Sequence, residues 1–130
     1  GPIWNNGHAA QVCPGVCSQR GWKWTRNWKT TVPDTMSVCG CGEWKLVGGV
    51  PRPRVEMTPV AYRHYQDFWA DILHRGLSPR EASAGWDSNF TRLRGTQNQY
   101  EIRLNQGHRV TFTVDWNRKE VRIGQVGGHT

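Results

Sequence analysis

Met36-Ser37-Val38-Cys39-Gly40-Cys41 sets two cysteines two residues apart, so in an extended strand both sulfurs leave from the same face. Upstream, Cys13-Pro14-Gly15-Val16-Cys17 sets two more at a spacing of four, which shares one face of a helix. Cys13 suits an N-cap there and Pro14 the first helical position. A helix laid across a strand would then close two bridges together. Four cysteines permit three connectivities, all open from sequence. Helix-to-strand pairing is favoured, because cysteines two apart in a strand point in parallel and bridge one another poorly. The rival is a tetrahedral zinc site, although Cys-x-x-x-Cys with Cys-x-Cys departs from the common ligand spacings. Thiol redox catalysis would call for Cys-x-x-Cys, which does not occur.

All four cysteines fall in the first third of the 130 residues, so they serve one small segment. About fifty residues bury too little core to stand alone, and disulfides are the usual remedy in secreted chains. Five of the eight tryptophans share that segment: Trp4, Trp22, Trp24, Trp28 and Trp44. A fold this small buries one or two such rings, leaving others at the surface, where flat apolar faces stack against sugar rings. Asn5, Asn6, Thr25, Asn27, Thr30 and Thr31 stand beside them with the hydroxyl and amide groups that sugars bind.

Gly1-Pro2-Ile3-Trp4-Asn5-Asn6, Ala10-Gln11, Trp24-Thr25-Arg26-Asn27-Trp28-Lys29-Thr30 and Met36-Ser37-Val38 together resemble the mannan-binding lectin family of cyanobacterial oligomannose lectins, over residues 1–41. The resemblance implies recognition of glycans containing mannose or N-acetylglucosamine, peptidoglycan among them. The implied carbohydrate-binding set is Trp4, Asn5, Asn6, Trp24, Thr25, Trp28 and Thr30. Arg26 stands where the family has Gly, the cysteines have no counterpart there, and one copy is present where those lectins carry two.

Residues 48–58, with Pro51 and Pro53 and no hydrophobic period, read as a linker between residues 1–47 and 59–130. Beyond it, Thr58-Pro59 opens a helix whose apolar stripe of Ala61, Tyr65, Phe68, Trp69, Ile72 and Leu73 runs to Gly76. Ser78-Pro79-Arg80-Glu81 is a capping box, and Ala82, Trp86, Phe90 and Leu93 predict a second helix ending at Gly95. The period then becomes two, through Tyr100-Ile102-Leu104, Val110-Phe112-Val114 and Glu120 to Val126, which predicts a three-stranded antiparallel meander. The fold class is therefore α+β, a disulfide-linked helix/strand module followed by two helices and three strands.

That helix-helix-meander order, with Arg103, Arg109 and Gly127-Gly128-His129 near its strands, resembles RelE/ParE-like toxins of the small microbial ribonuclease group, over residues 59–129. The resemblance implies metal-independent cleavage of RNA, with Arg94, Arg103, Arg109 and His129 as the catalytic set and His108 as a second proton carrier. Arginines alternating with Val and Ile are equally the solvated side of an ordinary sheet. The family's usual strand ahead of the helices is not evident.

A net charge of +7 suits an anionic partner such as nucleic acid or a cell envelope. No apolar run approaches the roughly 20 residues of a bilayer span, and no metal or other cofactor is implied. The chain starts Gly1-Pro2 without Met, as a mature end after signal removal or a tag scar would. Together these readings predict an exported bacterial protein, secreted or periplasmic. It would bind surface glycans and carry a toxin-type domain as an antibacterial effector, with RNA as substrate and an immunity protein as partner. The alternative is a non-catalytic glycan-binding protein.

Overall fold

The computed structural model describes residues 2–33, 35–87 and 90–128. Helix α1 spans Asn6–Gln19 and starts at Asn5, whose side chain accepts the His8 N–H at 2.8 Å. Pro14 therefore lies inside the helix and Cys13 is no N-cap, contrary to the expectation from Cys13-Pro14. Proline in mid-helix frees one carbonyl, that of the residue four back. Here that residue is Ala10, on the exposed side where water can serve the carbonyl. Strands β1 (Lys23–Val32) and β2 (Met36–Gly42) pair as an antiparallel hairpin of their own.

A two-stranded hairpin is marginal by itself. Its support is α1, which is tied to β2 by Cys13–Cys39 and Cys17–Cys41, with Cα separations of 5.5 and 5.4 Å. Of the three connectivities, the structure has the helix-to-strand one, and it leaves no thiol to hold zinc. Apart from the cysteines, burial among the described residues of this unit is confined to Ile3, Ala9 and Thr25. The bridges thus take over work that a larger core would do, each closing a loop of about 25 residues worth roughly 3 kcal/mol.

The second unit is a five-stranded sheet in the order β3-β7-β6-β5-β4. Its strands are β3 (Lys45–Val47), β4 (Thr91–Arg92), β5 (Gln99–Arg103), β6 (Arg109–Asp115) and β7 (Glu120–Val126). Helices α2 (Pro59–Arg75) and α3 (Pro79–Ser83) precede β4. Thr58 caps α2 through the Ala61 N–H, and Gly76 ends it in the left-handed region. Ala61, Tyr65, Phe68 and Ile72 of α2 pack on Ile102, Val110, Phe112, Val114, Val121 and Ile123 of the expected meander, β5-β6-β7.

Two expectations here need correction. The second helix stops at Ser83 instead of reaching Gly95, although its capping box forms as expected. Gly85 weakens the helix, and the residues after it find partners at the end of β5. Trp86 donates its indole N–H to the Arg103 carbonyl at 3.0 Å, and Asp87 accepts the Arg103 N–H at 2.6 Å. Trp86 and Phe90 therefore reach the core from a loop, and Thr91–Arg92 adds an edge strand. The other edge is β3, which lies ahead of the expected linker and runs parallel to β7. The proline-rich segment follows the second unit's surface, where Arg54 N–H donates to the Val126 carbonyl and the Tyr65 hydroxyl donates to the Pro51 carbonyl.

The two units meet backbone to backbone. Gly42 at the end of β2 lies so close to Gly76 that a Cβ on it would overlap the Gly76 carbonyl. Trp44 N–H donates to that carbonyl at 3.0 Å. Arg75 donates its Nε to the Thr25 carbonyl at 2.7 Å, and Lys23 reaches the Leu73 carbonyl from the opposite side of the contact. No helix among the described residues is long and apolar enough to cross a membrane.

Burial raises the Tyr65 phenol from 10.0 to about 12, with the neighbouring Tyr62 adding to the rise. A raised folded-state value means that the folded chain holds this proton more tightly than the unfolded one. The stability it contributes is complete below pH 10 and is lost as pH climbs toward 12. A spectrophotometric titration should therefore show one phenol ionising near pH 12, together with loss of near-UV dichroism. Tyr65→Phe should abolish that component. Survival of the component in the variant would contradict the assignment.

Candidate functional site

The carbohydrate-binding set expected from sequence lies along one continuous stretch, the N-terminal segment and the start of α1 against β1. Asn6, the first residue of α1, accepts the Trp28 indole N–H at 2.8 Å. Asn5 is occupied similarly by His8. Both carboxamide oxygens therefore face protein donors, which turns both NH2 groups the other way, and neither has a partner among the described residues. Trp4 stands beside them at 61% exposure, with its backbone N–H on His8 Nδ1.

Trp24 and Trp28 pair with Cys41 and Cys39 across the hairpin, so they share the face that carries the bridges. Both are half-buried against Ile3, Ala9 and Cys13. They are neither wholly core nor wholly surface, and each ring combines a supported side with an accessible one. Between them β1 takes four steps where β2 takes two, leaving a bulge at Thr25, Arg26 and Asn27. The Trp24 indole N–H closes the bulge on the Asn27 carbonyl at 3.0 Å.

Thr25 is brought to the site but turned inward. It is 7% exposed, its hydroxyl donates to the Gly40 carbonyl at 2.9 Å, and its own carbonyl is taken by Arg75. Its geometry suits holding the bulge. Thr30 is exposed, and its hydroxyl stands 3.5 Å from that of Ser37, which in turn accepts the Ile3 N–H at 2.9 Å. Ser37 and Gly40 escaped the sequence reading as site-shaping residues. A Cβ at Gly40 would press on the Thr25 hydroxyl at 2.8 Å, and the signal for it was a glycine between two bridged cysteines. Arg75 escaped it too, since nothing local links residue 75 to residue 25.

Of the expected catalytic arginines, Arg103 and Arg109 lie on the sheet face opposite the helices. Arg103 and Arg109 are direct cross-strand partners on β5 and β6. Arg109 also binds Glu101 at 2.6 Å, while its Nε is buried with no hydrogen-bond partner among the described residues. Arg94 is exposed in the turn between β4 and β5, at the other end of β5 from Arg103, and so is not brought to that pair. His129 lies outside the described residues. His108 Nδ1 accepts the Gly128 N–H at 3.0 Å. No three His, Cys, Asp or Glu gather as a metal site among the described residues.

Residues 6–41 match the sequence model of the MVL family, described as mannan-binding protein. The match takes in α1, β1 and most of β2, and with them every candidate sugar-binding residue except Trp4 and Asn5. No curated protein matches the chain.

Arg26 occupies the left-handed region with φ 73°, which explains why glycine suits this turn. A non-glycine residue there costs about 1–2 kcal/mol, partly offset because glycine loses more freedom on folding. Arg26→Gly should therefore raise the urea midpoint, by a stability gain of up to about 1 kcal/mol. A lowered midpoint would show that the arginine side chain supports the bulge.

Proposed function

We propose that the N-terminal unit binds glycans containing mannose or N-acetylglucosamine, at the surface formed by Trp4, Asn5, Asn6, Trp28 and Thr30. The observation that carries this reading is the Asn6–Trp28 hydrogen bond. It holds an indole edge and an outward amide donor in fixed relation, next to a second such amide on Asn5 and the exposed ring of Trp4. Sugars present apolar C–H faces together with hydroxyl acceptors, and a rigid aromatic-amide pair meets both needs at small entropic cost. Thr25 and Trp24 hold the bulge behind the surface. The family match over residues 6–41 supports the same chemistry. Two disulfides favour export to an oxidising compartment, secreted or periplasmic, where envelope glycans are met.

A second reading concerns the other unit. Like charges directly opposite on neighbouring strands are destabilising, yet Arg103 faces Arg109, with Glu101 offsetting one of the two, and a buried guanidinium N–H of Arg109 lacks a partner among the described residues. An anionic substrate would offset the cationic charge that Glu101 leaves over, and RNA cleaved without metal is the reading that follows, with the whole chain then acting as an antibacterial effector held in check by an immunity protein. Incubation of the full chain with labelled RNA in chelator should give fragments, about a hundredfold more slowly for Arg103→Gln. RNA left intact by the parent would remove this reading.

For the glycan site, Asn6→Asp keeps an oxygen for the Trp28 indole and deletes only the amide donor. Calorimetric titration with oligomannose and N-acetylglucosamine oligomers should show about a three- to tenfold loss of affinity, with thermal stability unchanged. Trp4→Ala should weaken binding comparably, again without unfolding, since that ring is largely exposed. Parent-like binding by both folded variants would rule the site out.

A further inference from the structure

Trp22 has no part in the surface just described, yet it is 37% exposed beside the contact between the two units. It lines a cleft of about 250 Å³ whose other walls are Gly21, Glu43, Lys45 and the β6–β7 turn, Asn117-Arg118-Lys119. One wall is therefore an indole from the hairpin unit, and the other is a cluster of cations from the sheet. The Arg20 guanidinium sits 5.9 Å over the Trp22 ring and steadies it. Lys45 donates its N–H to the Lys119 carbonyl at 2.9 Å, which fixes the strand against the turn.

The charges in the cleft do not balance. Glu43 is paired with Lys119, whereas Lys45 and Arg118 have no ionic partner among the described residues. Lys119 itself has φ 56°, a conformation that favours glycine. Its ion pair neutralises Glu43, the one carboxylate lining the cleft. What remains is a flat apolar ring, the Asn117 carboxamide and two uncompensated cations, in a volume just below the ~300–1,000 Å³ of small-molecule pockets and suited to one ring.

We infer that this cleft is a second saccharide subsite, selective for a sugar ring bearing a carboxylate. The ring's C–H face would lie on Trp22, its hydroxyls on Asn117 and Glu43, and its carboxylate on Arg118 and Lys45. Arginine suits this role because its planar fork matches a carboxylate in two parallel hydrogen bonds. The inference rests on the glycan-binding reading in one respect, that the ligand is a saccharide, but it uses none of the same residues. An acidic unit within a longer glycan would then be read by both units of the chain at once.

The test compares two tetrasaccharides of equal length on the full chain at low salt. One is chitotetraose, and the other alternates N-acetylglucosamine with glucuronate. The parent should bind the acidic ligand about tenfold tighter, the scale of one desolvated carboxylate contact. Lys45→Gln with Arg118→Gln should erase that preference and leave chitotetraose binding as it was, and Trp22→Ala should weaken the acidic ligand alone. Equal parental affinities, or a preference that survives the double variant, would overturn the subsite while leaving the Asn6–Trp28 site standing. Binding of the acidic ligand alone, lost in the double variant, would keep the subsite and remove N-acetylglucosamine from the other site. Silence toward both ligands would overturn the subsite and, if oligomannose is silent too, the Asn6–Trp28 site with it. A single-stranded RNA tetramer is the control for charge, and binding it as tightly as the acidic sugar would also overturn the assignment.

Discussion

A helix of 14 residues and a two-stranded hairpin share almost no core, and their union depends on two covalent bridges between them. Among the described residues of the unit, Ile3 and Ala9 are the only buried aliphatic ones apart from the bridged cysteines, far short of what burial alone would need to offset chain entropy. With Cys13 on Cys39 and Cys17 on Cys41, the helix is held along the face where Trp24 and Trp28 also project. The tryptophans are then free to be half-exposed. A unit relying on its indoles for stability would have had to bury them.

The start of α1 gains from the same arrangement. Bridging the middle and end of the helix brings its first residue alongside β1, where Asn6 receives the Trp28 indole N–H. Behind this surface the bulge at Thr25–Asn27 is held from two directions, by the Gly40 carbonyl within the hairpin and by Arg75 from the end of α2. The sheet unit therefore helps set the shape of the hairpin unit. Their glycines, Gly42 and Gly76, permit a backbone approach that any side chain would prevent.

Much of this was legible in the sequence, and the failures have physical causes. Local chemistry read well: the cysteine spacings predicted helix-to-strand bridging, Thr58-Pro59 and Gly76 bounded α2, and alternation located β5, β6 and β7. Errors arose where distant partners outweighed local signals. Asn5 started α1 eight residues before Cys13, and Trp86 and Asp87 gave up a helical stripe for hydrogen bonds at the end of β5. β3 has three residues, too few to show a period, and its identity comes from pairing with β7, where Lys45 meets Glu120. Within the candidate site, the tryptophans and asparagines stood out in the sequence by type and by their nearness to one another. The inward turn of Thr25 and the reach of Arg75 were not, because both depend on how the two units meet.

We propose that the bridged hairpin unit displays a sugar-binding surface anchored by the Asn6–Trp28 pair. Its most direct test is an NMR titration of the full, oxidised chain with an oligomannose or N-acetylglucosamine oligomer, following the indole N–H signals of the eight tryptophans. Trp28 and Trp4 should shift and broaden first, together with the side-chain amides of Asn5 and Asn6. Shifts confined to Trp69, Trp86 and Trp116 of the sheet unit, or none at saturating sugar, would contradict it.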